Sequence, residues 1–173
     1  MYDKRLKEKG VTRMNKEDKL SAERLLKYIC IGATVEGLSF YGPKLLLTES
    51  EGNSERLGDG QIYITIESEF TLLQSKTGSL PCFSDLPKLN ATDACKILCE
   101  LRLKKIIEVS LQEEIPHLLL TFETGEVLFI SGHHDMYESW QAGVYFDEVQ
   151  ANHWEIVACP GGELEIWGPD DIV

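Results

Sequence analysis

The sequence predicts a single α+β domain over residues 15–173, built from a mostly antiparallel sheet with two helices packed on it. Short runs of β-branched and aromatic residues are separated by glycine and proline, which is typical of strands joined by turns. Two other stretches repeat apolar residues at helical spacing. The chain has 173 residues, 43% of them hydrophobic, which is enough for one sizeable core.

Each of the two predicted helices begins at an asparagine that can cap its first turn. The first helix starts at Asn15 and ends near Ile31, and the second starts at Asn90 and ends at about Leu103. Residues 1–14 are charged and lack an apolar period, so we expect a flexible basic extension, with Met14 as an alternative start of translation. The apolar residues that share a face are Ala22, Leu25, Leu26 and Ile29 in the first helix and Ala94, Ile97, Leu98 and Leu101 in the second.

Nine strands are predicted, at residues 33–41, 44–48, 61–67, 104–110, 117–122, 126–130, 140–146, 154–159 and 163–167. Gly125 and the Pro160-Gly161-Gly162 triplet supply tight turns, so the last two strands are expected to be neighbours. Residues 49–60 are predicted to form a flexible connection and residues 73–89 an irregular one, because both stretches are rich in turn-forming residues.

A short repeat indicates an internal duplication. Leu45-Leu46-Leu47-Thr48 reappears as Leu118-Leu119-Leu120-Thr121, and a β-prone run led by a glycine follows each copy. Each copy also follows a helix and a strand, so residues 15–75 and 90–173 are candidate pseudo-repeats. Four common residues also match by chance, and the sequence leaves both interpretations open.

Charge is divided unevenly along the chain. Residues 1–30 contain nine basic and five acidic residues, whereas the whole chain has a net charge of −12. No lysine or arginine follows Lys105, and residues 106–173 contain fourteen acidic residues. Such a stretch repels nucleic acid and anionic lipid and attracts basic proteins. The opposing interpretation is that the acidity only maintains solubility.

The sequence does not indicate a membrane protein, a disulfide-stabilised protein or an enzyme of a known motif class. No run approaches the ~20 consecutive apolar residues that cross a bilayer, so we expect a cytoplasmic protein. Five cysteines in irregular spacing predict reduced core residues. No motif for nucleophilic catalysis or phosphate binding occurs, and we predict neither catalysis nor a cofactor.

His133, His134 and Asp135 form the densest set of candidate metal ligands, with Glu138 nearby and His153 able to join them across the sheet. Zinc needs three or four such groups converging at about 2 Å, and adjacent residues rarely point at one ion. We therefore interpret this stretch as a solvated loop and predict no metal. The alternative hypothesis is a metal-dependent or small-molecule enzyme centred on these three residues.

All three tryptophans lie in the C-terminal third, among acidic residues. Alternation along the last two strands turns one set of residues inward and leaves Trp167 with several carboxylates on the other face. An aromatic anchor inside an acidic rim is typical of a protein interface. The opposing interpretation is that Trp140 and Trp167 only cover the end of the sheet. The candidate partner-binding residues are Glu138, Trp140, Asp147, Glu148, Glu155, Glu163, Glu165 and Trp167.

Three C-terminal motifs are Tyr137-Glu138-Ser139-Trp140-Gln141, Trp154-Glu155-Ile156-Val157, and Pro160-Gly161-Gly162-Glu163-Leu164 followed by Ile166-Trp167. Together they resemble small bacterial proteins of the toxin-immunity type, over roughly the last forty residues. The resemblance implies inhibition by stoichiometric binding, in which acidic and aromatic groups cover the active cleft of a toxin, often a basic nuclease.

These observations predict a non-catalytic binding protein that sequesters a basic partner protein, with a nuclease toxin as the leading candidate. Neither nucleic acid nor a membrane is an expected partner, because both are anionic. A third hypothesis, besides the enzyme, is a homo-oligomeric structural domain whose sheet edge pairs with itself.

Overall fold

A computed structural model describes residues 13–48, 60–76, 79–146 and 154–172. Over these residues the chain forms two α-helices and ten strands in two antiparallel sheets, which confirms the predicted α+β class. In chain order the elements are α1 (Lys16–Cys30), β1 (Thr34–Ser39), β2 (Lys44–Thr48), β3 (Gln61–Ile66), β4 (Phe70–Leu73), α2 (Ala91–Cys99), β5 (Ile106–Leu111), β6 (Leu118–Phe122), β7 (Val127–Ile130), β8 (Trp140–Tyr145), β9 (Trp154–Ala158) and β10 (Leu164–Trp167).

The larger sheet has six strands in the order β1-β2-β3-β8-β9-β10, and the smaller sheet has four in the order β4-β7-β6-β5. A helix followed by a three-stranded antiparallel meander occurs twice, as α1 before β1-β2-β3 and as α2 before β5-β6-β7. An internal duplication would produce such a repeated arrangement. That the two units arose by duplication stays a prediction. β9 and β10 are neighbours, as their Pro-Gly-Gly connection predicted.

The two sheets join beside β1, where the chain after α2 reverses direction. The Leu103 N–H donates to the Val35 carbonyl oxygen at 2.7 Å, and the Val35 N–H donates to the Lys104 carbonyl oxygen at 3.0 Å. Leu103 has a φ of 61°, a left-handed conformation that no helix interior contains. The prediction that α2 continues to Leu103 is therefore wrong. The helix ends at Cys99, and pairing with β1 determines the backbone that follows.

One hydrophobic core fills the space between the sheets and the helices. α1 packs against β5 of the smaller sheet and against β8 and β10 of the larger sheet. Its Leu25, Leu26 and Ile29 are fully buried. Burial of such a side chain contributes about 1.5–3 kcal/mol, so α1 is a principal link between the sheets.

The two central strands of the smaller sheet, β6 and β7, are buried on both faces. Leu119, Val127 and Phe129 point away from the main core and form a second apolar cluster with Leu86. Leu86 belongs to the stretch predicted as an irregular connection, which therefore acts as a cover. β4, which pairs with β7, was not predicted, because its four residues show no clear alternation.

The segment before α1 is partly fixed. Met14, which was predicted to belong to a flexible extension, is 6% exposed, and its N–H donates to the Glu114 carbonyl oxygen at 3.2 Å. Residues 1–12 of that predicted extension lie outside the described residues, as do residues 49–59 of the predicted flexible connection. Among the helices described, none is long and apolar enough to cross a membrane.

Candidate functional site

The last two strands alternate between the core and the outer face of the larger sheet, as their pattern predicted. Glu165 lies opposite Val157, and Trp167 lies opposite Glu155. These four residues share the face that is turned away from the core, because adjacent residues of a strand point to opposite sides. The residues that belong to the core or pack against it are Trp154, Ile156 and Ala158 on β9 and Leu164 and Ile166 on β10.

Four strand ends of the larger sheet meet at one end of the molecule. The Glu67 N–H donates to the Ser139 carbonyl oxygen at 3.0 Å, and the Cys159 N–H donates to the Glu163 carbonyl oxygen at 2.9 Å. Between them, the Ser139 N–H donates to the Ala158 carbonyl oxygen at 2.9 Å. These bonds join the ends of β3 and β9 to the starts of β8 and β10. We name this region the acidic end, after its five exposed carboxylates: Glu67, Glu69, Glu138, Glu163 and Glu165.

The charges of the acidic end are not neutralised by the basic side chains that the structure describes. No ion pair joins any of the five carboxylates to a described lysine or arginine. The thiol of Cys159 lies among three of them. Burial raises the pKa of this thiol, and the charges of Glu165, Glu138 and Glu163 raise it further. All three carboxylates therefore lie close enough to Cys159 to raise the pKa of its thiol.

Other acidic residues beyond Lys105 are neutralised elsewhere in the fold. Arg13 pairs with Glu114 at 3.1 Å, Lys76 pairs with Glu108, and Lys104 pairs with Glu126. The predicted surface of a single sign is therefore smaller than the sequence indicated. Three of its exposed carboxylates, Glu138, Glu163 and Glu165, lie at the acidic end.

The prediction that Trp140 binds a partner is wrong. Its side chain is fully buried in the core, and its indole N–H donates to the Pro116 carbonyl oxygen at 2.7 Å. It occupies the first position of β8, opposite Ile66 of β3 and Ala158 of β9, where an inward-facing side chain has no access to a partner. Trp167 differs, because 41% of its side chain is exposed on the outer face.

Glu155 takes part in a polar network on the outer face of the larger sheet. The Tyr63 hydroxyl donates to Glu155 Oε1 at 2.6 Å, and the Tyr63 ring stacks on Tyr145 at 4.1 Å between centroids. The Lys44 ammonium donates to the Tyr145 hydroxyl at 2.9 Å. Burial and the hydrogen bond to Glu155 raise the pKa of Tyr63. The carboxylate of Glu155 therefore has a structural role, because it accepts the hydroxyl of a buried tyrosine.

Two predicted partner-binding residues, Asp147 and Glu148, lie outside the described residues, as does the candidate metal ligand His153.

The other candidate metal ligands do not converge. His133 Nε2 lies 3.5 Å from Asp135 Oδ1, whereas His134 Nδ1 accepts the backbone N–H groups of residues 136 and 137. In the part of the chain that the structure describes, no group of three His, Cys, Asp or Glu side chains could hold a metal ion.

The sequence pattern did not single out Glu67 and Glu69, because both precede Lys105 and so lie outside the acidic stretch without lysine or arginine. Both residues flank Ser68 in the connection that follows an alternating strand. Only the pairing of β3 with β8, two strands far apart in the sequence, brings them beside Glu138. A Glu-Ser-Glu stretch at a strand end gives no signal of which strand lies next to it.

No family model matches the sequence, no curated protein matches it, and no solved structure matches the chain. The candidate site is therefore interpreted from its own chemistry.

Proposed function

We propose that this chain is a non-catalytic binding protein that captures a basic protein at the acidic end, in the manner of an immunity protein that neutralises a toxin. The observation that carries the proposal is the set of five exposed carboxylates on one end of the larger sheet, without a described basic side chain paired to any of them. Like charges held together are unfavourable for the free protein, and a cationic partner relieves that cost.

The residues around these carboxylates support a protein as the partner. Trp167 is exposed on the neighbouring outer face, and Tyr137, which precedes Glu138, is 59% exposed. Aromatic side chains are enriched where protein interfaces are most strongly bound, and charged residues form their rims. All five cysteines are free thiols, which supports a reducing compartment such as the cytoplasm.

Two double variants with the same charge test the proposal. Glu163→Lys with Glu165→Lys alters the acidic end, whereas Glu100→Lys with Glu113→Lys alters exposed carboxylates elsewhere. Each reversal adds two charges, so both proteins change from −12 to −8. Wild type and both variants are immobilised and exposed to extract of the native cell at increasing salt concentration, and the captured basic protein is then purified for kinetics.

We expect wild type and the control variant to capture the partner, and the acidic-end variant to lose it at moderate salt. The association rate of the purified partner should fall at least about tenfold at low salt for the acidic-end variant, with a weaker dependence on salt. Equal association rates for the two variants would show that overall charge, and not the acidic end, directs binding. Capture that salt does not affect would contradict the electrostatic proposal.

A further inference from the structure

A cavity of about 580 Å³ opens beside the acidic end. It lies between the β1–β2 turn, the β3–β4 connection and the start of α2. Its volume falls within the roughly 300–1,000 Å³ of protein ligand pockets. Its floor is apolar and is formed by Ile66, Phe70, Leu89 and Ala94.

Two exposed aromatic residues form the wall on the side of the β1–β2 turn. Phe40 is 71% exposed and Tyr41 is 99% exposed, although both line the cavity. Gly42, with a φ of 64°, turns the chain back immediately after them. Large apolar side chains left in water beside a cavity are typical of a binding surface, because a bound partner removes them from water.

The part of the lining that follows β3 carries negative charge. Glu67, Ser68 and Glu69 all line the cavity, and the Ser68 hydroxyl is engaged in donating to the Ser131 carbonyl oxygen at 2.5 Å. His134 also lines the cavity. Its Nδ1 accepts two backbone hydrogen bonds, which places the proton of the neutral ring on Nε2. Lys88 is the one described basic residue among the lining residues, and its side chain is exposed.

An apolar surface continues from the cavity along α2. A second cavity of about 570 Å³ shares Phe40 and Ala91 with the first, and its remaining lining includes Cys95 and Cys99. Lys96 lies on this surface, but its ammonium is paired with Asp93 at 2.9 Å. A segment that fills the first cavity can therefore place an apolar side chain against α2 without meeting an unpaired described cation there.

We propose that the first cavity binds an arginine side chain of the basic partner, with the following residue of the partner lying along α2. The charge of Glu67 and Glu69 selects a cation, and the aromatic wall selects a flat one. A guanidinium group stacks on aromatic rings and donates to two carboxylates at once, whereas an ammonium group does neither as well. The identity of the partner as a protein rests on the function proposed above.

The test uses the whole protein and a short capped peptide, acetyl-Gly-Arg-Leu-Gly-amide. Binding is followed by shifts of backbone amide signals in NMR spectra. We expect a dissociation constant on the order of 1 mM, with the largest shifts at residues 40, 67–70 and 134. A peptide with citrulline in place of arginine is isosteric but uncharged, and it should bind at least about tenfold more weakly.

Matched variants identify the wall that provides selectivity. Glu67→Gln with Glu69→Gln should weaken binding of the arginine peptide at least about tenfold, whereas Glu100→Gln with Glu113→Gln should leave it unchanged. Lys88→Gln should strengthen binding about twofold to fivefold, because it removes the competing cation. Equal affinity for the arginine and citrulline peptides, or an unchanged affinity in the Glu67/Glu69 variant, would overturn the inference.

The purified partner separates this inference from the proposed function. If the Glu67/Glu69 variant holds the partner as tightly as wild type while Glu163→Lys with Glu165→Lys loses it, the arginine pocket is wrong and the proposed function stands. If the peptide binds as expected but no salt-sensitive basic partner is captured, the assignment of the cavity to a protein partner is wrong.

Discussion

The carboxylates around the smaller sheet and those of the acidic end differ in what surrounds them, although most come from the same lysine-free stretch. Around the smaller sheet, Glu108 and Glu126 pair with Lys76 and Lys104. At the acidic end, no described basic side chain pairs with a carboxylate. The difference lies in what the nearby lysines bind: those beside β5 to β7 pair with carboxylates, whereas Lys44 beside β8 donates to the Tyr145 hydroxyl.

α1 lies beside the larger sheet, but two of its lysines are engaged within the helix. This helix contacts β10 and carries several basic residues. Two of them, Lys19 and Lys27, lie 4.0 and 3.5 Å from the carboxylate of Glu23 on the same helix. Glu23 in turn accepts the backbone N–H of Leu111 at 2.9 Å. Lys19 and Lys27 are thus engaged within the helix, and their shared partner Glu23 is hydrogen-bonded to β5.

The largest expected effect is a loss of stability on removing the buried tryptophan of the larger sheet, compared with the exposed one. Trp140→Ala removes a fully buried ring and its hydrogen bond to Pro116, and should lower the free energy of unfolding by about 3–5 kcal/mol. Trp167→Ala removes a ring that is 41% exposed, and should cost less than about 1.5 kcal/mol. Urea denaturation measures both. Similar losses in the two variants would contradict the different positions of the two rings.

The smaller sheet should respond to acid through His117. This residue is buried beside Phe129, and its Nδ1 accepts the Gly132 N–H at 2.8 Å. Burial, together with the smaller effect of the nearby His133, lowers the pKa of His117 to about 4. Because the folded protein binds the proton less readily than the unfolded chain, stability is complete above pH 6.5 and decreases as the pH falls to 4. The loss should reach about 3 kcal/mol.

Carboxylates titrate in the same pH range, so the measurement compares wild type with His117→Gln. The glutamine side chain can accept a hydrogen bond but does not titrate. Unfolding free energies are measured by urea denaturation at intervals between pH 4 and pH 7. The difference between the two proteins should change by about 3 kcal/mol over this range. A constant difference would show that His117 does not resist protonation in the folded state.

The pKa of Glu126, one of the neutralised carboxylates, should depend on Lys104. The hydrogen bond from Lys104 is the largest of the causes that lower the pKa of Glu126 to about 2. Lys104→Met should raise this pKa by at least about one unit, toward its ordinary range. The pair therefore stabilises the fold above the ordinary glutamate pKa and stops doing so as the pH falls toward 2. NMR titration of the Glu126 side chain measures the change, and an unchanged pKa would mean that Lys104 does not hold the carboxylate.

The sequence was sufficient for those parts of the fold that depend on local patterns. Asn15 and Asn90 cap the helices as predicted, since their side chains accept the N–H groups of Glu17 and Asp93 at 3.0 Å. Gly161 adopts a φ of 82° in the turn between β9 and β10. Caps, turns and alternation involve neighbours in the chain, so their physical cause is visible in the sequence.

The parts that could not be predicted depend on strands that are distant in the sequence. Trp140 and Trp167 look alike as aromatic residues near acids, and only the register of β8 shows that one of them faces the core. The contribution of Glu67 and Glu69 to the acidic end requires the β3–β8 pairing. The neutralisation of Glu126 requires that the chain after α2 passes beside the turn between β6 and β7. No local pattern encodes these relations.

The smallest expected effect is also the most direct test of the comparison between the two sets of carboxylates. Glu163→Lys with Glu165→Lys, measured without any partner, should change the free energy of unfolding by less than about 0.5 kcal/mol, because neither carboxylate has a described ion pair to lose. At low salt the variant should be slightly more stable, since two like charges are removed from a crowded group. Glu126→Lys is a single reversal in the other region, and it should destabilise the protein clearly by placing two lysines together. Urea denaturation at 20 and 500 mM salt distinguishes the two cases. A clear loss of stability in the Glu163/Glu165 variant would mean that these carboxylates serve the fold, which would remove the reason to assign them to a partner.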